Sequence, residues 1–288
     1  MEYAEFEPPA ALADIVRCFW VLRAGPGALE RAEPAIPDGS PELILSLASV
    51  TRARAPSGRM VPQPGAMLVG QITRPFSVQA VGAVELVAAR LHPYGAAWLC
   101  ARVDALTDGW MSLGAPFAAA RRLAQAARGA EARVAILTQA MLAVRAGGVI
   151  DGARREAKRV AVRDSRPRAR VPGPDARVIR AVDAIVASHG AVPMATLAGD
   201  AATTPRQLQR LFARDVGVSP KLLARIRRVQ RVFAAWRDEP GRWTRVAAEC
   251  GYFDQAHLSR DFREIAGGAP AGLVEAMPRF TRQFTALR

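Results

Sequence analysis

Two groups of side chains in the C-terminal part of this 288-residue chain are of the types that hydrogen-bond to the edges of nucleic-acid bases. The first is Arg206, Gln209 and Arg210, in "PRQLQRLF". The second is Gln255, Ala256, Ser259 and Arg260, in "DQAHLSRDF". Their spacing puts each group on one side of a helix. Arg can chelate guanine O6 and N7, Gln can pair with adenine N6 and N7, and a small Ala or Ser leaves room for a thymine methyl. A merely solvated helix face uses the same residue types, so the reading depends on the frame that holds them.

That frame occurs twice. "LAGDAATTPRQLQRLFARDVGVSP" (197–220) aligns with "VAAECGYFDQAHLSRDFREIAGGAP" (246–270), the second copy having one extra residue in its turn. Ala198 matches Ala247, Ala202 matches Gly251, Phe212 matches Phe262, Gly217 matches Gly267 and Pro220 matches Pro270. Each copy reads as helix, tight turn, helix. Thr204 suits an N-cap with Pro205 at the first helical position, and Asp254 suits the same place in the second copy. Leu208, Leu211 and Phe212 form a core face on one helix, and Leu258, Phe262 and Ile265 on the other. Between the copies, Leu222, Ile226, Val229, Phe233 and Trp236 mark the apolar stripe of a long helix that "DEPG" (238–241) stops. Arg225, Arg227, Arg228 and Arg231 lie on its other side and are expected in solvent or near phosphates.

Charge divides the chain in the same place. Residues 1–151 carry 14 basic and 13 acidic side chains, 152–174 carry 8 and 2, and 175–288 carry 18 and 11. A neutral half joined to a basic half reads as a sensing part tied to a polyanion-binding part. "GARREAKRVAVRDSRPRARVPGPD" (152–175) reads as the linker, with a helical first part broken by Pro167, Pro172 and Pro174. Before it, "CFWVL" (18–22), "ELILSL" (42–47), "MLVG" (67–70), "FSVQAV" (76–81) and "VELVAARL" (84–91) predict strands. "PYGAAWLCARV" (93–103) predicts a helix, and Val134, Leu137, Met141 and Val144 predict another.

The remaining chemistry-bearing residues read blandly. Cys18, Cys100 and Cys250 are scattered and odd in number, against a disulfide framework or a zinc site and in keeping with a reducing cytoplasm. His92 lacks the companion ligands that a metal site needs and reads as structural, so no cofactor or metal is expected. Asp38 and Gly39 in "PDG" read as a turn between strands, with a pocket role as the alternative. No apolar run is long enough to span a membrane.

Residues 175–278 resemble the DNA-binding domain of the AraC/XylS family of transcription regulators. "PRQLQRLF…GVSP", the helix 220–236 and "VAAECGYFDQAHLSRDF…GGAP" carry the resemblance. Departures stand at Ala256 and His257, and in "AGLV" after Pro270. More loosely, "IPDGSPELIL", "GQITRPF" and "ARLHPYGAAWL" resemble sensor domains fused to such regulators, many of them cupin-like. The resemblance implies an α+β protein with a β-rich sensor or dimerisation domain (1–151), a basic linker (152–174) and a double helix-turn-helix domain (175–288). It implies double-stranded DNA as partner, read in two successive major grooves by helices 204–215 and 254–265, with RNA polymerase, a small-molecule effector and a second copy of the chain as further partners. The rival reading is a DNA-repair or other enzyme fused to such a DNA-binding domain; it needs metal-binding or nucleophilic cysteines in contexts that this chain lacks.

Overall fold

The structure is a computed structural model, and it describes residues 1–54, 58–147, 154–155, 173–238 and 243–275. Among the described residues, ten strands run through the first 112: β1 (Glu2–Phe6), β2 (Val16–Ala24), β3 (Glu33–Ala35), β4 (Glu42–Ser46), β5 (Thr51–Arg54), β6 (Met60–Pro62), β7 (Ala66–Val69), β8 (Phe76–Ala80), β9 (Val84–Leu91) and β10 (Trp110–Ser112). Two helices follow, α1 (Phe117–Ala126) and α2 (Ala130–Arg145), and then a two-residue strand β11 (Arg154–Arg155). The strands form two antiparallel sheets, ordered β1-β2-β9-β4-β7-β10-β11 and β3-β8-β5-β6.

Strand alternation explains why β9 is buried on both faces. Val87, Ala89 and Leu91 point with Phe19, Val21, Leu43, Leu45 and Leu68 into a core closed by α1 and α2. The alternate residues Val84, Leu86 and Ala88 point with Trp20, Leu22 and Ala24 toward the second sheet. A strand covered on both sides has no polar face, so "VELVAARL" looks like a nearly continuous apolar run. Its one buried charge, Arg90, shares the second face and is neutralised there.

Two expectations need correction in this half. "PYGAAWLCARV" does not form an α-helix; it makes short 3-10 turns at Gly95–Trp98 and Val103–Leu106. The segment is wedged against the β2 entry, where a Cβ on Gly95 would stand 2.6 Å from the Ile15 carbonyl oxygen. Its apolar residues serve two cores, Ala96, Leu99 and Val103 facing the sheet and Tyr94 facing the helical half. The expected helical start of the linker is, at Arg154–Arg155, an edge strand paired with β10; the rest of 152–174, except 173 and 174, lies outside the described residues.

The second half is helical: α3 (Ala176–Ala187), α4 (Met194–Asp200), α5 (Pro205–Asp215), α6 (Pro220–Asp238), α7 (Trp243–Glu249), α8 (Gln255–Ile265) and α9 (Pro270–Glu275). The 19-residue α6 spans about 28 Å. Its Leu223 and Ala224 belong to the core of α3–α5, and its Ile226, Val229, Val232 and Phe233 to the core of α7–α8. Trp236 stacks on Trp243 with ring centroids 3.8 Å apart.

Candidate nucleic-acid interface

The duplication seen in the sequence extends to individual hydrogen bonds. In the first turn Ala202 N–H donates to the Gly199 carbonyl and Thr203 N–H to Ala198; in the second Gly251 donates to Ala248 and Tyr252 to Ala247. These closures need a left-handed residue. Ala202 takes φ 48° and Gly251 φ 77°. After each second helix the chain turns again at positive φ, at Gly217 and Gly267.

Both expected caps form. Thr204 Oγ1 accepts from Gln207 N–H at 3.2 Å, and an Asp254 carboxylate oxygen accepts from His257 N–H at 2.6 Å. The caps fix the start of each helix and hence the direction of its first-turn side chains. Leu208, Leu211 and Phe212 are buried, as are Leu258, Phe262 and Ile265. Arg206, Gln209, Arg210, Gln255, Ala256 and Arg260 are exposed, and Ser259 is half-buried. The fold therefore gathers each group on the outer, N-terminal side of a helix whose back is in a core. Phe253, just before the second cap, is 94 % exposed and was not singled out from sequence.

The expectation is overturned for three of the four α6 arginines, Arg225, Arg227 and Arg228. Arg227 is only 3 % exposed and donates to the Asp38 carbonyl oxygen at 3.3 Å. Burial, aided by repulsion from Arg17, lowers its pKa to about 10, with Asp38 opposing. Arg225 pairs with Asp261 at 2.8 Å and with Glu264, while Arg228 lies 3.9 Å from Asp261 and over the Tyr252 ring. The reason is that α6 has no free face. Unit cores take two sides, and the β-rich half takes a third, where buried Gln230 donates to the Pro37 carbonyl at 2.6 Å. Only an acidic partner inside α8, at Asp261, hinted at this in sequence.

The β-rich half also touches both units at their closing turns. Thr107 Oγ1 donates to the Gly217 carbonyl at 2.7 Å, and a Cβ on Gly267 would lie 3.1 Å from Pro75. His92 is placed structurally, its Nε2 3.0 Å from the Ala13 carbonyl and its ring stacked on Tyr94. Cys100 and Cys250 are buried and Cys18 half-buried. Burial pushes the Cys18 and Cys250 thiols up to about 11. The "PDG" segment makes its turn, Asp38 accepting from Ser40 N–H at 2.9 Å, and Asp38 also lines a cavity of about 90 Å³ between the sheets.

Two capped helices with basic and amide side chains outward, each on its own helix-turn-helix and both packed on one connecting helix, define a DNA-binding protein. Residues 197–276 match the family described as "Helix-turn-helix domain", and residues 4–111 match "Domain of unknown function (DUF6597)". The C-terminal match is of the AraC type and supports an AraC-type transcription regulator. No curated protein matches it. Among solved structures, ToxT from Vibrio cholerae is 10 % identical over 90 % of this chain and 98 % of its own, with a TM-score of 0.46. Unsaturated fatty acid-bound wild-type ToxT is 9 % identical over 90 % and 95 %, TM-score 0.48, and the AraC-like transcriptional activator CuxR is 13 % identical over 82 % and 95 %, TM-score 0.30. These likenesses are too weak to carry a function to this chain.

Proposed function

We propose that the chain reads an asymmetric DNA site through two successive major grooves. α5 presents Arg206, Gln209 and Arg210 to one groove, and α8 presents Gln255, Ala256, Ser259 and Arg260 to the next. The boundaries are 1–151 for the sensing and dimerising domain, 152–174 for the linker and 175–288 for the DNA-binding domain. What supports this most is the repeated cap-and-core geometry, which aims both exposed groups outward from a shared helix. Successive grooves lie roughly 34 Å apart on one face of B-DNA, so the DNA bends if the helices are closer. A second copy bound through the N-terminal half doubles the site, and bound protein in the cytoplasm recruits RNA polymerase. A small molecule held in the β-rich half adjusts binding.

We read the chain as having no catalytic activity of its own. Burial and raised thiol pKa values at Cys18 and Cys250 work against the nucleophilic or metal-bound cysteine that the fused-enzyme alternative needs. Selection of bound fragments from random DNA, followed by footprinting, tests the proposal. Two protected segments about one helical turn apart are expected. Sequence-indifferent binding, or one protected segment per protein, refutes it.

A further inference from the structure

The two reading helices present different chemistry to the outside. On its N-terminal side α5 presents two arginines, Arg206 and Arg210, with Gln209, whereas α8 presents one, Arg260, with the uncharged Gln255, Ala256 and Ser259. The second unit adds an apolar residue at the same end. Phe253, directly before the Asp254 cap, is the most exposed large apolar side chain among the described residues. A single exposed apolar residue needs no explanation by itself; its place in the repeat does.

Phe253 is the residue that the second turn has and the first lacks. Thr203 N–H donates to the Ala198 carbonyl as Tyr252 N–H does to Ala247, so Thr203 and Tyr252 are equivalent. The caps Thr204 and Asp254 are equivalent too, which leaves Phe253 as the inserted residue. Its backbone is held from both sides. Tyr252 is buried, its ring roughly perpendicular to that of His257 at 5.1 Å between centroids and 5.3 Å from the Arg228 guanidinium. Asp254 is tied to the first turn of α8 by its cap bond. With Tyr252 turned inward and Asp254 turned onto the helix end, residue 253 points outward. The geometry asks for an outward side chain there and not for an apolar one. The usual use of an apolar residue at this position is to pack on the fourth helical residue, here Leu258. Leu258 is fully buried and Phe253 stays in solvent, so that contact does not account for the phenyl ring.

We propose that Phe253 is a specificity residue that packs on a thymine 5-methyl group in the major groove entered by α8. The N-terminal part of the second helix of such a unit is what meets base edges, and the position before its cap belongs to that end. The methyl group is the apolar feature of a thymine edge in the major groove, and Phe is among the side chains that contact it. Fixed flanks mean that little backbone freedom is lost on contact. The box read by α8 therefore contains a thymine that the box read by α5 does not require. This assignment rests on the two-groove reading above.

Deoxyuridine differs from thymidine by that methyl alone, which makes it the probe. In the DNA site selected by the full-length chain, each thymine is replaced in turn by deoxyuridine, and wild type and Phe253→Ala are titrated in gel shifts. The α8 box is the one whose base preferences Arg260→Ala relaxes. Wild type should lose about fourfold in affinity at one thymine of that box, the effect of withdrawing one methyl from an apolar contact. Phe253→Ala should bind the thymine and deoxyuridine forms of that position alike, keep the wild-type response at every other thymine, and unfold at the wild-type temperature. An α8 box without thymine, a wild type indifferent to deoxyuridine throughout that box, or the same deoxyuridine profile in Phe253→Ala overturns the assignment and leaves the two-groove reading intact. So does a Phe253→Ala chain that binds DNA as the wild type does and fails only in transcription, which would place the residue on a protein partner. A chain that selects no sequence, or protects a single segment, overturns both.

Discussion

In the first helix-turn-helix unit the acidic residue of the second helix is at its end. Asp215 accepts from the backbone N–H of Asp175 at 2.9 Å and pairs with the half-exposed Arg214. In the second unit it is one turn earlier, at Asp261, where it takes Arg225 and faces Arg228 from α6. The backbones repeat, but the first unit is tied to the start of α3 and the second to the connecting helix. A displacement of α6 therefore carries charge-bonded α8 with it, while α5 is held from α3 and from the 3-10 turns of the β-rich half. Near-identical units supported differently can keep one groove contact fixed and adjust the other.

The broadest test of the repeat is to empty each core. Phe212 and Phe262 are both fully buried, and Phe262 also lies against Phe233, centroids 5.0 Å apart. Each Phe→Ala change should cost about 3–5 kcal/mol in chemical denaturation. A loss at Phe212 much smaller than at Phe262 would show that the first unit is not closed by its own core. Next, Asp261→Ala takes a buried carboxylate from Arg228 and from Arg225, which keeps only Glu264, and should cost about 3 kcal/mol. Asp215→Ala should cost less, about 1–2 kcal/mol, because Arg214 can return to water while only one backbone donor is orphaned. Equal costs would erase the distinction between the two supports.

The groove contacts come third. Arg210→Ala and Arg260→Ala should each weaken binding to the selected DNA by about 1–3 kcal/mol in gel-shift titrations, without changing stability. If only Arg210→Ala weakens binding, α8 does not enter a groove. The smallest effect is in the first turns. Gly251→Ala has room, its nearest neighbour being Ala191 Cβ at 3.8 Å, but must take a left-handed backbone, and should cost about 1 kcal/mol. Ala202→Gly removes that strain and should gain about 0.5 kcal/mol after the added chain entropy. Thermal unfolding of the two variants together measures how alike the turns are.

The helical half was largely legible because its signals are local. Caps at Thr204 and Asp254, glycines at positive φ and apolar residues three and four apart are each set by a few neighbours in sequence. Arg225, Arg227 and Arg228 of α6 were misread for the opposite reason. Amphipathicity assumes one buried face, and α6 has partners on three sides, one of them 189 residues away at Asp38. The strands were legible from alternation and turn residues, but "PYGAAWLCARV" was not, since an apolar run shared between two cores looks like a helix whatever its backbone does. The cavity left no mark in sequence. Trp20, Asp38, Glu42, Thr51 and Arg90 come from five separated places, and only sheet register brings them together.

Consider, last, the seats of Gly217 and Gly267. Each closes its own helix-turn-helix against the β-rich half, one under Thr107 and one under Pro75, where an added Cβ would be only 3.0 and 3.1 Å away. Together with Ile36 and Gln230 they make the two halves a matched pair, not interchangeable parts. Grafting this N-terminal half onto another regulator's DNA-binding domain would leave Pro37 without Gln230 and set foreign turns against Thr107 and Pro75. Chimeras should respond to ligand only when α6 and both closing turns travel with the loop 36–39, so the portable unit in evolution or engineering is this contact set, cut across the apparent domain boundary.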